Sequence, residues 1–193
     1  MIDLTAACEE MANLMKGVAD EELGAATPCA SYTVADLVEH VDMVSRGFTA
    51  LARHDTEQAT PTEPVAADEG WRDDVAAHVR ALGVAWRDPA AWRGSTDAGG
   101  LELTNDVWGR VALTEMVVHG WDLAKAINQN IDLPESTLRS CLDHVSAFVP
   151  NAPVPSLWGT PVTTPADAAL IDQIVAITGR NPNWQHHDHN PPA

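Results

Sequence analysis

The sequence predicts an all-α bundle, and three observations carry that expectation. Apolar residues recur at three- and four-residue steps through most of the chain, capping residues stand where several of these runs begin, and Pro or Gly punctuates the stretches between them. Little of the chain reads as strand, so helix must pack on helix to bury these stripes.

From Leu4 to Val18 the residues Leu4, Cys8, Met11, Leu14, Met15 and Val18 form the apolar stripe of a first helix. Gly24 to Tyr32, with its Thr27-Pro28-Cys29-Ala30-Ser31 core, breaks the period and reads as a loop. Thr33 starts a second helix, with Asp36 completing a capping-box-like start. Its buried stripe is Val34, Leu37, Val38, Val41, Val44, Phe48 and Leu51, fading around Arg53.

An acidic, Pro-containing linker is expected from Asp55 to Gly70, and a third helix from Trp71 to Arg87 through Val75, Val79, Leu82 and Trp86, ended by Asp88-Pro89. Gly94 to Gly100 reads as a loop. Leu101 to Asn128 is the strongest helical segment, with Leu101 to Leu103 an extended lead-in and the helix proper running from about Asp106 to about Ile127. This is the expected central core helix.

A fifth helix runs from Pro134, a first-turn residue, to Phe148 on Leu138, Cys141, Leu142 and Val145, and Pro150 and Pro153 close it. Val154 to Thr163 is too rich in Pro and Gly for a helix and should lie extended across the bundle. Thr164-Pro165-Ala166-Asp167 repeats the cap-and-proline start signal for a last helix through Leu170, Ile171, Ile174 and Ile177, stopped by Gly179 with Pro182 beyond. The expected organisation is one helical bundle over residues 1–184 and a His/Pro-rich tail over 185–193.

At 193 residues the chain is long enough for one substantial core, and no apolar run reaches the roughly 20 residues of a membrane span. The start at Met1 lacks the basic, apolar, small-residue pattern of a leader, so a cytoplasmic location is expected. With 28 acidic against 11 basic residues the formal charge is -17, a field that repels phosphate backbones and anionic membranes. Neither nucleic acid nor membrane is an expected partner; a small molecule is, and a homodimer is an open option. Cys8, Cys29 and Cys141 are widely spaced and form no C-x-x-C, as reduced thiols do. Cys8 and Cys141 fall on apolar stripes, and Cys29 reads as a packing residue rather than a nucleophile.

The chemistry gathers around Glu115 and His119. Four residues apart on a helix, they share a face; at 100° per residue His119 falls about +40° from Glu115, Asp122 about -20° and Trp108 about +20°. A carboxylate on a buried face needs compensation, which a divalent cation or a buried Arg or Lys supplies. Basic residues are scarce, and Arg110 and Lys125 lie on other faces of this helix, which favours metal over a buried Arg or Lys; taken alone, Glu115 and His119 could also simply pair with each other.

His40, at the inward edge of the second helix, is the candidate third ligand. Two imidazoles and one carboxylate leave coordination positions for water or substrate. Asp122 is placed to orient a ligand or to act as a base near bound water. His186-His187-Asp188-His189 attracts metal by composition but lacks helical support, and His54, His78 and His144 read as surface residues.

Three motifs carry a family resemblance. Thr27-Pro28-Cys29-x-x-Tyr32-Thr33-Val34-x-Asp36-Leu37-x-x-His40-Val41 resembles the TPCxxWTVxDLxxHV segment of the mycothiol-dependent maleylpyruvate isomerase N-terminal family, part of the DinB-like superfamily. Thr114-Glu115-x-x-x-His119-Gly120-Trp121-Asp122-Leu123-Ala124 resembles its second hallmark. The stretch from Gly159 through Pro161, Pro165 and Asp167 to Gly179-Arg180 resembles a third.

The resemblance spans about residues 4 to 184. It implies a DinB-like four-helix bundle with additional short helices and a crossover connection. It also implies a divalent metal on His40, Glu115 and His119, most often zinc, with nickel, manganese or iron as alternatives. Mycothiol or another low-molecular-weight thiol is the implied cofactor. The better-known isomerases carry a further C-terminal domain, which this chain is expected to lack. The expected function is thus metal-dependent thiol transfer or isomerisation on a small electrophile. A non-catalytic metal- or ligand-binding module and a metal-dependent hydrolase are the alternatives.

Overall fold

A computed structural model describes residues 1–55 and 70–186. The expected linker falls largely on 56–69, and the tail histidines His187 and His189 on 187–193, so both lie outside the described residues.

Six helices and one hairpin follow in the order α1 (Thr5–Gly17), α2 (Val34–Ala52), α3 (Trp71–Ala85), β1 (Ser95–Ala98), β2 (Leu101–Thr104), α4 (Asn105–Ala126), α5 (Glu135–Phe148) and α6 (Leu170–Ile177). The expected helical bundle is therefore what the chain forms. α1 and α2 each pack on both α3 and α4, so the four helices close a square whose centre holds the stripes read from the sequence. Met11, Leu37, Val38, Val75, Leu82, Leu113 and Val117 are each inaccessible to solvent there. A side chain of this size contributes about 1.5–3 kcal/mol when fully buried.

α4 is buried almost all round, as expected of a helix wrapped by others: α1 and α2 cover one side and α5 another. α6 packs on α5 and completes a second layer. The hydroxyl of Thr33 accepts from the Asp36 N–H while Asp36 accepts from the Thr33 N–H, so the capping box expected at α2 is formed. It fixes where α2 begins, and hence the depth at which His40 enters the bundle.

Four expectations need correction. The stretch expected as a loop before the central helix holds strand β1, which pairs antiparallel with β2, Ser95 opposite Thr104 and Ala98 opposite Leu101. The turn between them is Gly99-Gly100 at φ +66° and +82°, the left-handed pair that a tight hairpin requires. Polar Ser95-Thr96-Asp97 concealed that strand.

Pro134 is the N-cap of α5, not its first-turn residue. The last helix begins at Leu170, not at Thr164-Pro165; the Ala168 N–H closes a turn onto the Pro165 carbonyl, and extended backbone at Ala169 restarts the chain.

The histidines expected at the surface separate into three cases. His54 is exposed. His78 reaches across from α3, its ring nitrogen 2.6 Å from the buried carboxylate of Asp42 on α2. His144 is buried, stacks on Phe148 with ring centroids 4.9 Å apart, and has no hydrogen-bond partner at Nε2.

Burial, with Arg110 nearby and only partly offset by Asp106, pushes the His144 imidazole down to about 4. The neutral ring is the folded-state form. Between pH 6.5 and 4 the unfolded chain takes up a proton that the folded chain refuses, so this group's contribution falls as pH falls, by roughly 1–3 kcal/mol. Urea denaturation at pH 7 and pH 4.5 checks this: His144→Leu should lose less stability over that interval than the wild type, by about 1 kcal/mol or more. Equal losses would contradict the assignment.

Candidate functional site

The Thr27–Thr33 loop positions one side of the site. Thr27 donates from its hydroxyl to the carbonyls of Cys29 (2.9 Å) and Tyr32 (2.8 Å), and the Ala26–Thr33 bridge closes the loop. Tyr32 is thereby held over α2, its hydroxyl 3.4 Å from His40 Nδ1. The other ring nitrogen, His40 Nε2, lies 3.0 Å from Glu115 Oε2 on α4. One turn on, His119 Nε2 is 3.3 Å from that same oxygen.

The three side chains expected from sequence therefore converge, with one ligand atom from each all within 4.8 Å of one another. Two imidazole nitrogens, on loss of any proton they carry, and a carboxylate oxygen form a donor set that can hold a divalent cation.

A further row of groups lies behind them. His119 Nδ1 is 2.9 Å from Asp122 Oδ2, so the ring's outer face is held by a carboxylate and Nε2 is turned toward Glu115. Asp122 is wholly inaccessible to solvent, and Arg180 meets it with Nη2 3.0 Å from Oδ2 and Nε 3.4 Å from Oδ1. Nη1 of the same guanidinium donates to the Thr178 carbonyl at 3.1 Å.

Arg180 reaches this place because Gly179 ends α6 in the left-handed region, at φ +88°, and lies backbone to backbone against Gly159; a Cβ on Gly179 would come within 2.4 Å of the Gly159 Cα.

Burial opposes charge on Glu115, His119 and Arg180, yet their contacts win. Burial alone would raise the Glu115 carboxyl, but hydrogen bonds from His119 and His40 hold it well below the usual carboxylate range. Burial likewise disfavours the His119 imidazolium, while Asp122 and Glu115 push it up to about 9. Burial raises the Cys29 thiol, which lines the same pocket and so lacks the thiolate character of a nucleophile.

The cluster opens into a cavity of about 530 Å³. Trp108, expected on this face, lines it; Trp121 is core, as expected. Much of the wall comes from Phe148 at the end of α5 and from residues 152–159; the sequence suggested only an extended crossing from Val154 on, where the structure has a short helical turn over Pro155–Leu157.

Arg180 was visible in sequence only as part of a motif. The shortage of basic residues pointed away from a buried Arg, and the structure corrects this for Asp122: its compensation is Arg180, delivered from far along the chain. Gly179 before it was the available signal.

A family model described as the mycothiol maleylpyruvate isomerase N-terminal domain matches residues 4–124. The chain belongs to that family. The match carries all three converging residues but ends before Arg180 and most of the cavity wall.

Two relatives from Mycobacterium tuberculosis, the Uncharacterized protein Rv0738 and the Uncharacterized protein MT0763, are each 33% identical over 182 residues, spanning 89% of this chain and 92% of theirs. Among solved structures, a histidine-to-alanine mutant of the mycothiol-dependent maleylpyruvate isomerase superposes with a TM-score of 0.50 at 20% identity, covering 74% of this chain and 67% of that one. It shares the fold with this member of the family.

The buried Asp122–Arg180 pair has a measurable consequence. Arg180→Met leaves the buried carboxylate with His119 but without its guanidinium and should cost about 3 kcal/mol, whereas Asp122→Asn added to it should restore at least about 1 kcal/mol. Equilibrium denaturation of the two single variants and the double variant checks this, and strictly additive losses would contradict the pairing.

Proposed function

We propose that this chain is a divalent-metal-dependent enzyme that brings a low-molecular-weight thiol of the mycothiol type to a small electrophile, for transfer or isomerisation. The observation that carries this reading is the convergence of His40, Glu115 and His119 within 4.8 Å at the wall of a 530 Å³ cavity. Family membership supports the thiol, and the donor set supports zinc over harder ions.

A bound divalent cation there supplies Lewis acidity that favours a thiolate at neutral pH. The residues of the chain do the rest. His40 and His119 present Nε2 and Glu115 presents Oε2 toward one point. Asp122 accepts a hydrogen bond from His119 Nδ1–H and so turns Nε2 toward the cluster, and Arg180 pairs with the buried Asp122 carboxylate from the other side.

The Tyr32 hydroxyl performs the corresponding task at His40 Nδ1. The aromatic and aliphatic cavity wall holds the electrophile's body and excludes water from the sulfur's path.

A non-catalytic, closed metal site would call for a fourth protein ligand. Among the described residues the group has three members, and Asp122 is already engaged by His119 and Arg180. This favours the enzymatic reading.

Purified protein should carry near-stoichiometric metal by elemental analysis, and His40→Ala or His119→Ala should weaken zinc affinity by at least about 100-fold. Wild-type affinity in either variant would remove the site.

Zinc-loaded protein should also accelerate thiol-dependent consumption of monochlorobimane, lose that activity on chelation and regain it with zinc. Activity indistinguishable between the wild type and His119→Ala would overturn the proposed function.

A further inference from the structure

The cavity also restricts which electrophiles fit. Besides the Cys29 thiol and the Tyr32 hydroxyl, its titratable side chains are Glu115, Arg180 and the two imidazoles, and these four belong to one connected row, from His40 through Glu115 and His119 to Asp122 and Arg180. Arg180, the only Lys or Arg lining the cavity among the described residues, has Nε and Nη2 on Asp122 and Nη1 on a backbone carbonyl. Its charge is paired with a buried carboxylate.

The remaining wall is mostly apolar, with Trp108 and Val111 of α4, Phe148 of α5, and Leu157 and Trp158 beyond it, and its neutral polar side chains include Ser31 and Ser156. Trp108 has its indole N–H on the Thr96 carbonyl at 3.0 Å, and the Thr114 hydroxyl donates to the Arg110 carbonyl, so these groups too are satisfied within the protein.

The same apolar character continues outward. Val154 and Leu157, two of the large hydrophobic side chains that remain exposed in this fold, both line the cavity. A second carboxylate on a bound molecule would be desolvated against this wall with no cation to receive it, in a protein whose formal charge is -17.

We propose that the electrophile is a small molecule with an apolar body whose end remote from the His40–Glu115–His119 cluster carries no anionic group, so that dicarboxylates are poor ligands. This rests on the cavity being the electrophile's site, as in the function proposed above. One polar or anionic group remains compatible with the cluster itself.

The test is a matched pair that differs only at the far end: monomethyl terephthalate and terephthalate, each titrated calorimetrically into zinc-loaded protein. The half-ester should bind at least about 10-fold more tightly than the diacid. Val154→Arg, a change at an exposed position, should narrow that ratio by about 3-fold or more by offering the second carboxylate a partner.

Equal or tighter binding of terephthalate by the wild type, no binding of the half-ester up to about 1 mM, or a ratio unmoved by Val154→Arg would each overturn the proposal. Thiol turnover is read separately. Its absence with the binding preference intact sinks the thiol enzyme and leaves the specificity of the cavity standing, and turnover with a reversed preference does the opposite.

Discussion

Two carboxylates on the most deeply buried helix are the constraint around which the rest of this molecule is arranged. Glu115 and Asp122 sit two turns apart on the same face of α4, where a carboxylate is costly without partners. The partners come from three parts of the chain: His40 from α2, His119 from α4 itself, and Arg180 from the turn after α6. The capping box at Thr33, the Thr27-centred loop and the left-handed Gly179 are the local devices that deliver those partners in register. What remains near Glu115 after the internal pairing is a concentration of nitrogen and oxygen lone pairs facing one point, which is why a cation belongs to the account.

Much of this was legible in the sequence because helical periodicity is a short-range code. The stripes of α1 to α4 follow from residues three and four apart, and the same spacing put Glu115, His119, Asp122 and Trp108 on one face. His40 could be placed beside them because its helix had a marked start and a one-sided stripe.

The failures share a different cause. Strand β1 depends on a partner and on a Gly-Gly turn more than on its own polar residues; His144 is buried by a second layer of helices that no local pattern encodes; and Arg180 meets Asp122 across 58 positions. Long-range pairing is what periodicity does not record.

The division of labour along the chain bears on function. Residues 4–124, matched by the family model, carry the converging His40, Glu115 and His119, while residues 148–180 supply Phe148, Trp158 and Arg180. In the proposed enzyme the first part would provide the chemistry that the family has in common, and the second would select the molecule on which it is used. The aromatic and aliphatic side chains of the second part serve as wall and as water barrier together.

The most direct test of the central claim, that the buried row of carboxylates and imidazoles creates a three-ligand cation site able to receive a thiol, is X-ray absorption spectroscopy of zinc-loaded protein with and without mycothiol. The account predicts a shell of nitrogen and oxygen with the multiple scattering of two imidazoles, and a sulfur at about 2.3 Å that appears only when the thiol is added. Sulfur in the shell before addition, which would bring Cys29 into the site, or fewer than two imidazoles, would contradict it.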